Sequence, residues 1–413
     1  MPTIQHLTNH IRRHGLSKKP LFALSFMVLM WTVFDGILSY LAPIVMTEHM
    51  SVATMGVVLG TSSIAGAVFD FLISKFFLST NFRRVFLIMF AVCLVYPLIL
   101  WQSTAIWMFL VAMAIWGFYY DLHNFGNFDF VGRNIKPEEH SSSFGVITVF
   151  QSLGYMLAPI LAGLVLGEVI GWEPYALAWI FLLIGFGFFI VLISITRTNK
   201  RKIKTGPIIK INFFNEIHLW ESIGKKIFPV LLLTMLLNIV DAFFWTIGPL
   251  YAESFKSFGD FEGVILTAYT LPSLLVGWFV GSVTAKFGKK RSGFLAFAIG
   301  SGILTLLAFV NNPAVIIGVI FLASASIGMA WPAINGVYAN YINEAPHVEK
   351  EIEGVQDFFT NIGYVIGPML AGFLAQAFGD ANSFAIIGLV GVIAGLLLLV
   401  FTPKKISITE RPA

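Results

Sequence analysis

Apolar runs of about 17 to 25 residues recur along the whole chain, the length a helix needs to cross a hydrocarbon core about 30 Å thick. They predict twelve membrane-spanning helices, over 20–43, 51–75, 84–102, 104–127, 143–167, 174–195, 227–250, 261–283, 292–310, 313–336, 352–377 and 382–402. Ionisable side chains interrupt only some of them. Helix one holds Asp35, helix two Asp70, helix four Asp121 and His123, helix seven Asp241 and helix eleven Asp357. A carboxylate at the centre of a spanning helix costs about 2.5–3.5 kcal/mol on insertion scales, so each of these positions asks for a reason.

The pattern repeats. GYMLAPILAG at 154–163 matches GYVIGPMLAG at 363–372, and the same offset of 209 aligns Pro137 with Pro346, Gly145 with Gly354, and Tyr155 with Tyr364. VFDGILSYLAP (33–43) aligns with IVDAFFWTIGP (239–249) at 206, which places Asp35 on Asp241 and Pro43 on Pro249. GVVLG (56–60) falls on GVILT (263–267) at 207. The chain therefore divides into a six-helix bundle over 1–195, a charged cytosolic linker over 196–226, and a second bundle with a cytosolic tail over 227–413. The two repeats are parallel, which predicts a site between them near the bilayer midplane.

Composition agrees with a membrane protein. The 413 residues are 57% hydrophobic and 12% charged, about half the charged fraction of a soluble chain. Lys and Arg collect at the N-terminus (Arg12, Arg13, Lys18, Lys19), after helix two (Arg83, Arg84), between helices six and seven, after helix eight (Lys286, Lys289, Lys290, Arg291) and at the C-terminus (Lys404, Lys405). Of 26 basic residues only Lys256 falls in an outer loop. This bias puts both termini in the cytosol. It explains the net charge of +4 without a nucleic-acid partner. A lone cysteine, Cys93, provides neither a disulfide framework nor a Cys-based metal site. His6, His10 and His14 lie at i, i+4, i+8 and read as one face of an amphipathic cytosolic helix, with a metal site as the alternative. No cofactor or metal is expected, and no P-loop for direct ATP drive occurs. The polar first 19 residues and the long run after them predict no cleaved targeting segment. Low cysteine use and short loops suggest a bacterial inner membrane.

With these features the sequence resembles the major facilitator superfamily. GSVTAKFGKK (281–290) resembles that family's loop motif between its second and third helices, with Ala285 at the usual Asp position. In SKFFLSTNFRR (74–84) only Arg83 and Arg84 of that motif survive. GVITVFQSLGYMLAPILAG (145–163) and GVQDFFTNIGYVIGPMLAG (354–372) are similar to the Gly-Pro motif of the drug/proton antiporter branch, with Ala158, Ala162 and Ala371 in place of glycines. The Arg that many of those exporters carry in helix four is missing. The resemblance implies an all-α fold of two pseudo-symmetric six-helix bundles working by alternating access, as a functional monomer and not as an enzyme. Helices three, six, nine and twelve would be scaffolding against lipid, and beyond Arg84 at the first position of helix three their spans hold no Asp, Glu, Lys, Arg or His.

Helical spacing then predicts the cavity walls. Helix one offers Trp31, Asp35 and Ser39. Helix four offers Trp116, Tyr120, Asp121, His123, Asn124 and Asn127, and helix five Gln151 and Tyr155. Helix seven offers Asn238, Asp241 and Trp245, helix ten Trp331 and Asn335, and helix eleven Asn361 and Tyr364. Asp70, Lys286, Gly288 and Asp357 are candidate gate residues, although Asp70 has an anchoring alternative. Asp129 and Arg133, four apart, read as an interfacial ion pair. A low dielectric favours the neutral form of a carboxylate, so Asp35, Asp241 and Asp121 are candidate proton carriers. His123 is a further candidate, with packing as the bland alternative. Acidic side chains without a balancing cation predict a cationic or neutral amphiphilic cargo, held against tryptophan faces and exported in exchange for protons. A proton- or sodium-coupled importer of a metabolite is the alternative, and a non-transporting membrane sensor a more distant one.

Overall fold

The computed structural model describes residues 19–76, 81–136, 139–167, 170–196, 213–255, 262–345 and 348–403. Among them the chain forms twelve helices. The first six are α1 (Lys19–Thr47), α2 (Val52–Phe76), α3 (Phe82–Gln102), α4 (Ile106–Asn134), α5 (His140–Val165) and α6 (Glu173–Ile195). The second six are α7 (Phe213–Glu253), α8 (Glu262–Phe287), α9 (Lys289–Leu304, continued as a 3-10 turn over Thr305–Phe309), α10 (Pro313–Glu344), α11 (Glu349–Phe378) and α12 (Asp380–Phe401). Eleven are long and apolar enough to cross a membrane. The two arms of α8, bent by 67° between Val276 and Phe279, make a twelfth. The His6, His10, His14 face and residues 197–212 of the linker lie outside the described residues.

α1–α6 form one bundle and α7–α12 the other, with α1 and α7 at the centre. α1 is buried almost all round, from Leu21 to Met46. The outward helices instead turn apolar side chains outside: Leu94 and Leu98 on α3, Leu183 and Ile190 on α6, Ile299 on α9, and Ile393 and Leu397 on α12. Water would not tolerate that belt, and lipid does. These four helices, whose charged residues (Arg83 and Arg84, Glu173, Lys289 to Arg291, Asp380) all sit in the first turn, are thus the scaffold.

Small residues set how closely the central helices cross, and they do so twice. A Cβ at Gly154 would stand 2.7 Å from Thr32 Cβ, and one at Gly363 would stand 2.6 Å from Asn238 Cβ. These are the same crossing in the two repeats. One turn on, a Cβ at Gly36 would lie 2.5 Å from Ala158 Cβ, and one at Gly367 would lie 2.6 Å from Ala242 Cβ. The repeats use the same glycine–alanine pair with the partners exchanged. Ala158, a departure from the Gly-Pro motif, is therefore matched by a glycine directly across the helix interface, as small-residue packing in membranes requires.

Two helices outrun their apolar segments. α7 begins at Phe213, so the second half of the segment assigned as linker is helical. Trp220, buried Ile223 and buried Ile227 recur on one face, and Trp220 packs over Gly354 of α11. α4 extends to Asn134 because Phe130 and Val131 are buried. Asp129 pairs with Arg133 at 2.5 Å and also accepts from Phe82 N at 2.7 Å, which caps α3. Arg83 donates to the Thr196 carbonyl at the end of α6 and to Ile193 O at 3.4 Å. A cation there complements the C-terminal end of the helix dipole.

Gly36→Ala should overpack the α1–α5 crossing, at a cost of about 1–3 kcal/mol. The double change Gly36→Ala with Ala158→Gly copies the arrangement of the other repeat and should recover most of it. Thermal unfolding of the purified protein in detergent reads both, and an unrescued double variant would contradict the exchange.

Candidate functional site

A cavity of about 770 Å³ lies between the bundles, within the range of small-molecule sites. Its acidic side chains come from four helices: Asp35 (α1), Asp121 (α4), Asp241 (α7) and Asp357 (α11). Trp116, Trp245 and Trp331 add aromatic faces. Among the described residues lining it, none is Lys, Arg or His.

Asp35 is 1% exposed and held by neutral donors on both oxygens. Trp116 Nε1 donates to Oδ1 at 3.1 Å and the Tyr119 hydroxyl donates to Oδ1 at 2.6 Å. The Tyr155 hydroxyl donates to Oδ2 at 2.9 Å. Asp241 faces the cavity more openly. It accepts from Tyr269 at 2.5 Å on Oδ1 and from Tyr364 at 2.8 Å on Oδ2. Tyr155 and Tyr364 are equivalent in the repeat, so an aspartate held through Oδ2 by a tyrosine four helices on is a duplicated unit. The remaining donors are not duplicated: α4 supplies them to Asp35, and α8 supplies one to Asp241. Tyr269 is itself fixed by stacking on Phe244 at 3.8 Å.

The structure brings Asp35, Ser39, Trp116, Tyr120, Asp121, Asn124, Tyr155, Asp241, Trp245, Trp331, Asp357, Asn361 and Tyr364 to the lining. It corrects the placement of six others. The helix-four stripe splits: Trp116, Tyr120 and Asn124 face the cavity, while His123 and Asn127 turn inward and are buried, as is Tyr119 beside them. His123 stacks on Trp31 at 3.7 Å and 6°, and its Nε2 pairs with Asn127 Nδ2 at 3.1 Å. Trp31, His123 and Asn127 are therefore core residues of the first bundle. Asn238 donates to Thr234 O of its own helix at 2.7 Å. Gln151 and Asn335 also lie outside the lining. Lys286 is exposed at the end of α8, its Nζ 5.2 Å from the Phe287 ring, and Gly288 makes the turn into α9 with φ +83°. The backbone of Asp70 belongs to α2, and its side chain is outside the description. Tyr119 and Tyr269, which hold the two carboxylates, were missed in the sequence; neither stands out from the aromatic residues around it.

At the end carrying the α1–α2, α5–α6, α7–α8 and α11–α12 connections, the bundles meet in a tight double seam. Gly56 of α2 lies against the Pro368 carbonyl of α11, and Gly263 of α8 lies against the Pro159 carbonyl of α5. Ala53 N donates to Gln376 Oε1 at 3.0 Å, and Thr267 donates to Met156 O at 3.0 Å. From this seam the cavity runs toward the opposite end, where α1 begins and α12 ends, and its lining there includes exposed Phe128 and Asp357.

Comparison with known proteins matches the Major Facilitator Superfamily over residues 21–259 and 230–413. The chain belongs to this family. That superfamily is one of membrane transporters, and the family and fold are those of transporters rather than enzymes. It is 25% identical to the quinolone resistance protein NorA of Staphylococcus aureus over 162 residues. That match covers 38% of this chain and only 40% of the relative's length. It is 24% identical to the class B tetracycline resistance protein of Escherichia coli over 285 residues, 66% of this chain and 67% of that one. Among solved structures, the nucleoside transporter NupG superposes with a TM-score of 0.72 at 14% identity, covering 94% of this chain and all of that one. A bacterial homolog of the lysosomal transporter Spinster, solved inward-facing and unoccupied, gives 0.68 at 14% identity, covering 93% of this chain and 95% of that one. These likenesses carry the fold.

For this superfamily member, Gly56→Val with Gly263→Val should wedge both arms of the seam. Labels at exposed Trp172 and Asn382, beyond the seam, should move apart relative to the parent in electron-spin distance measurements. An unchanged distance would show that the glycines do not set closure.

Proposed function

We propose that this transporter exports small organic cations, and neutral amphiphiles of similar size, in exchange for protons. One observation carries the reading: both repeats present a carboxylate to one cavity whose described lining has tryptophan faces and no basic side chain. A cation lodged there gains from the acidic field and from the ring faces. Two of the sequence relatives are named for drug resistance, which supports export over import.

The two aspartates divide the work. Asp35, sealed behind Trp116, Tyr119 and Tyr155, carries the proton. Asp241, open to the cavity beside Trp245, holds the cargo, and Asp121 and Asp357 form an outer acidic tier on the way to the mouth. The bundles 1–195 and 227–413 rock about the linker, with Asp70, Lys286, Gly288 and Asp357 at the moving edges. In the bacterial inner membrane with both termini cytosolic, the seam lies outside and the cavity opens to the cytosol, which is the loading state of an exporter.

The test uses protein reconstituted in liposomes with an imposed pH gradient and ethidium as the probe, with a sugar and an amino acid as comparison solutes. Asp35→Asn should abolish the gradient dependence and leave downhill exchange. Asp241→Asn should raise the half-saturating ethidium concentration by about tenfold, equivalent to about 1.4 kcal/mol. Full proton-coupled flux in both variants would refute the reading. Cargo moving in the same direction as protons would replace export by proton-coupled import.

A further inference from the structure

Tyr155 touches both bundles. Its hydroxyl donates to Asp35 Oδ2 at 2.9 Å within the first bundle, and its ring meets that of Trp245 in the second, edge-on at 5.4 Å. Trp245 stands one helical turn from Asp241 on α7. A Cβ at Gly36 would lie 3.3 Å from Tyr155 Cδ1, so the α1–α5 crossing leaves the ring little room on its Asp35 side.

The two oxygens of Asp35 differ. Oδ1 accepts from Trp116 and Tyr119, while Oδ2 accepts from Tyr155. Oδ1 already accepts two bonds, one of them from an indole N–H that cannot accept in return, whereas Oδ2 accepts only one, from a phenol that can. A proton arriving from cavity water is best placed on Oδ2, where the new O–H points at the Tyr155 oxygen. Tyr155 must then turn its own hydrogen away from Asp35. Tyr120 lines the same cavity wall. The titratable side chains around Asp35 are Cys93 and Tyr96 of α3, Tyr119 and Tyr120 of α4 and Tyr155 of α5. Tyr175 of α6 lies behind Tyr96, and Asp241 of α7 lies beyond Tyr120. On α4, His123 lies one turn from Tyr119, stacked on Trp31.

We infer that Tyr155 is a positioning residue that reports the protonation of Asp35 to the second bundle through Trp245. The inference rests on the reading of Asp35 as the proton carrier. It is also one-sided. Tyr364 holds Asp241 in the equivalent way, but the position matching Trp245 in the first repeat is Ser39, whose hydroxyl donates to Asp35 O at 2.7 Å. The duplicated carboxylate–tyrosine unit thus carries an aromatic bridge between bundles from the Asp35 side, and Ser39 cannot supply one from the other.

The experiment needs no cargo. Spin labels at Trp172→Cys and Asn382→Cys, with buried Cys93 left in place, report the seam in nanodiscs as pH is varied. The parent should redistribute between two distances, and Asp35→Asn should not. Tyr155→Phe keeps the ring and loses the hydroxyl; Trp245→Leu loses the bridge and leaves Asp35 its donors. Each should flatten the pH response at least threefold, and the double variant should be no flatter than either alone, since the two act in series. Trp245→Phe, which keeps a ring, should retain the response. A response lost in Asp35→Asn but intact in Tyr155→Phe and Trp245→Leu overturns the relay and leaves the proton carrier standing. A response that survives Asp35→Asn overturns both.

Discussion

Asp35 can occupy the middle of a membrane span because three neutral donors reach it. A charged or hydrogen-bonding group in hydrocarbon is stable only when its partners are inside the protein. A hydrogen bond to a charged group contributes about 1.5–3 kcal/mol, so two or three of them match or exceed the roughly 2.5–3.5 kcal/mol that insertion of an aspartate costs. Much of the architecture follows from supplying those donors. α4 must turn Trp116 and Tyr119 toward α1, and α5 must approach closely enough for Tyr155. The second condition sets the small residues at the α1–α5 crossing, and the same condition at Asp241 sets them at the α7–α11 crossing.

Duplication and divergence then act on different parts of the site. The crossing glycines, the aspartates, the tyrosines on α5 and α11 and the seam glycines are shared between repeats. The further donors, Trp116 and Tyr119 against Tyr269, are not. Neither is the burial, nearly complete at Asp35 and partial at Asp241. A symmetric frame holding two unlike carboxylates suits the proposed exchange, in which a proton and a larger cation need different pockets at one depth.

Much of this is legible in the sequence, and what is not has physical causes. The spans follow from hydropathy, and the repeat offsets alone pair Asp35 with Asp241 and Tyr155 with Tyr364. The helix-four stripe misleads because its residues cover about 100° of arc. Only packing decides the rotation that sends Tyr120 and Asn124 to the cavity and His123 and Asn127 into the core. Trp31 follows His123 into the core by stacking on it, a contact between two helices that no single-helix pattern contains. Tyr269 sits in an apolar run like many membrane tyrosines, and its partner is 28 residues away. Helix length was underread at α7 because hydropathy senses the bilayer and not the helix beyond it, where Trp220 and Ile223 pack against neighbouring helices.

The proposed export implies one linkage: a cation entering the cavity and a proton on Asp35 exclude each other. Proton release measured with a pH dye, when tetraphenylphosphonium is added to purified protein in weakly buffered detergent, tests it directly. Release should saturate with the cation, disappear in Asp35→Asn and persist at higher cation concentration in Asp241→Asn. Saturable cation binding with no proton released, or release undiminished in Asp35→Asn, would contradict it.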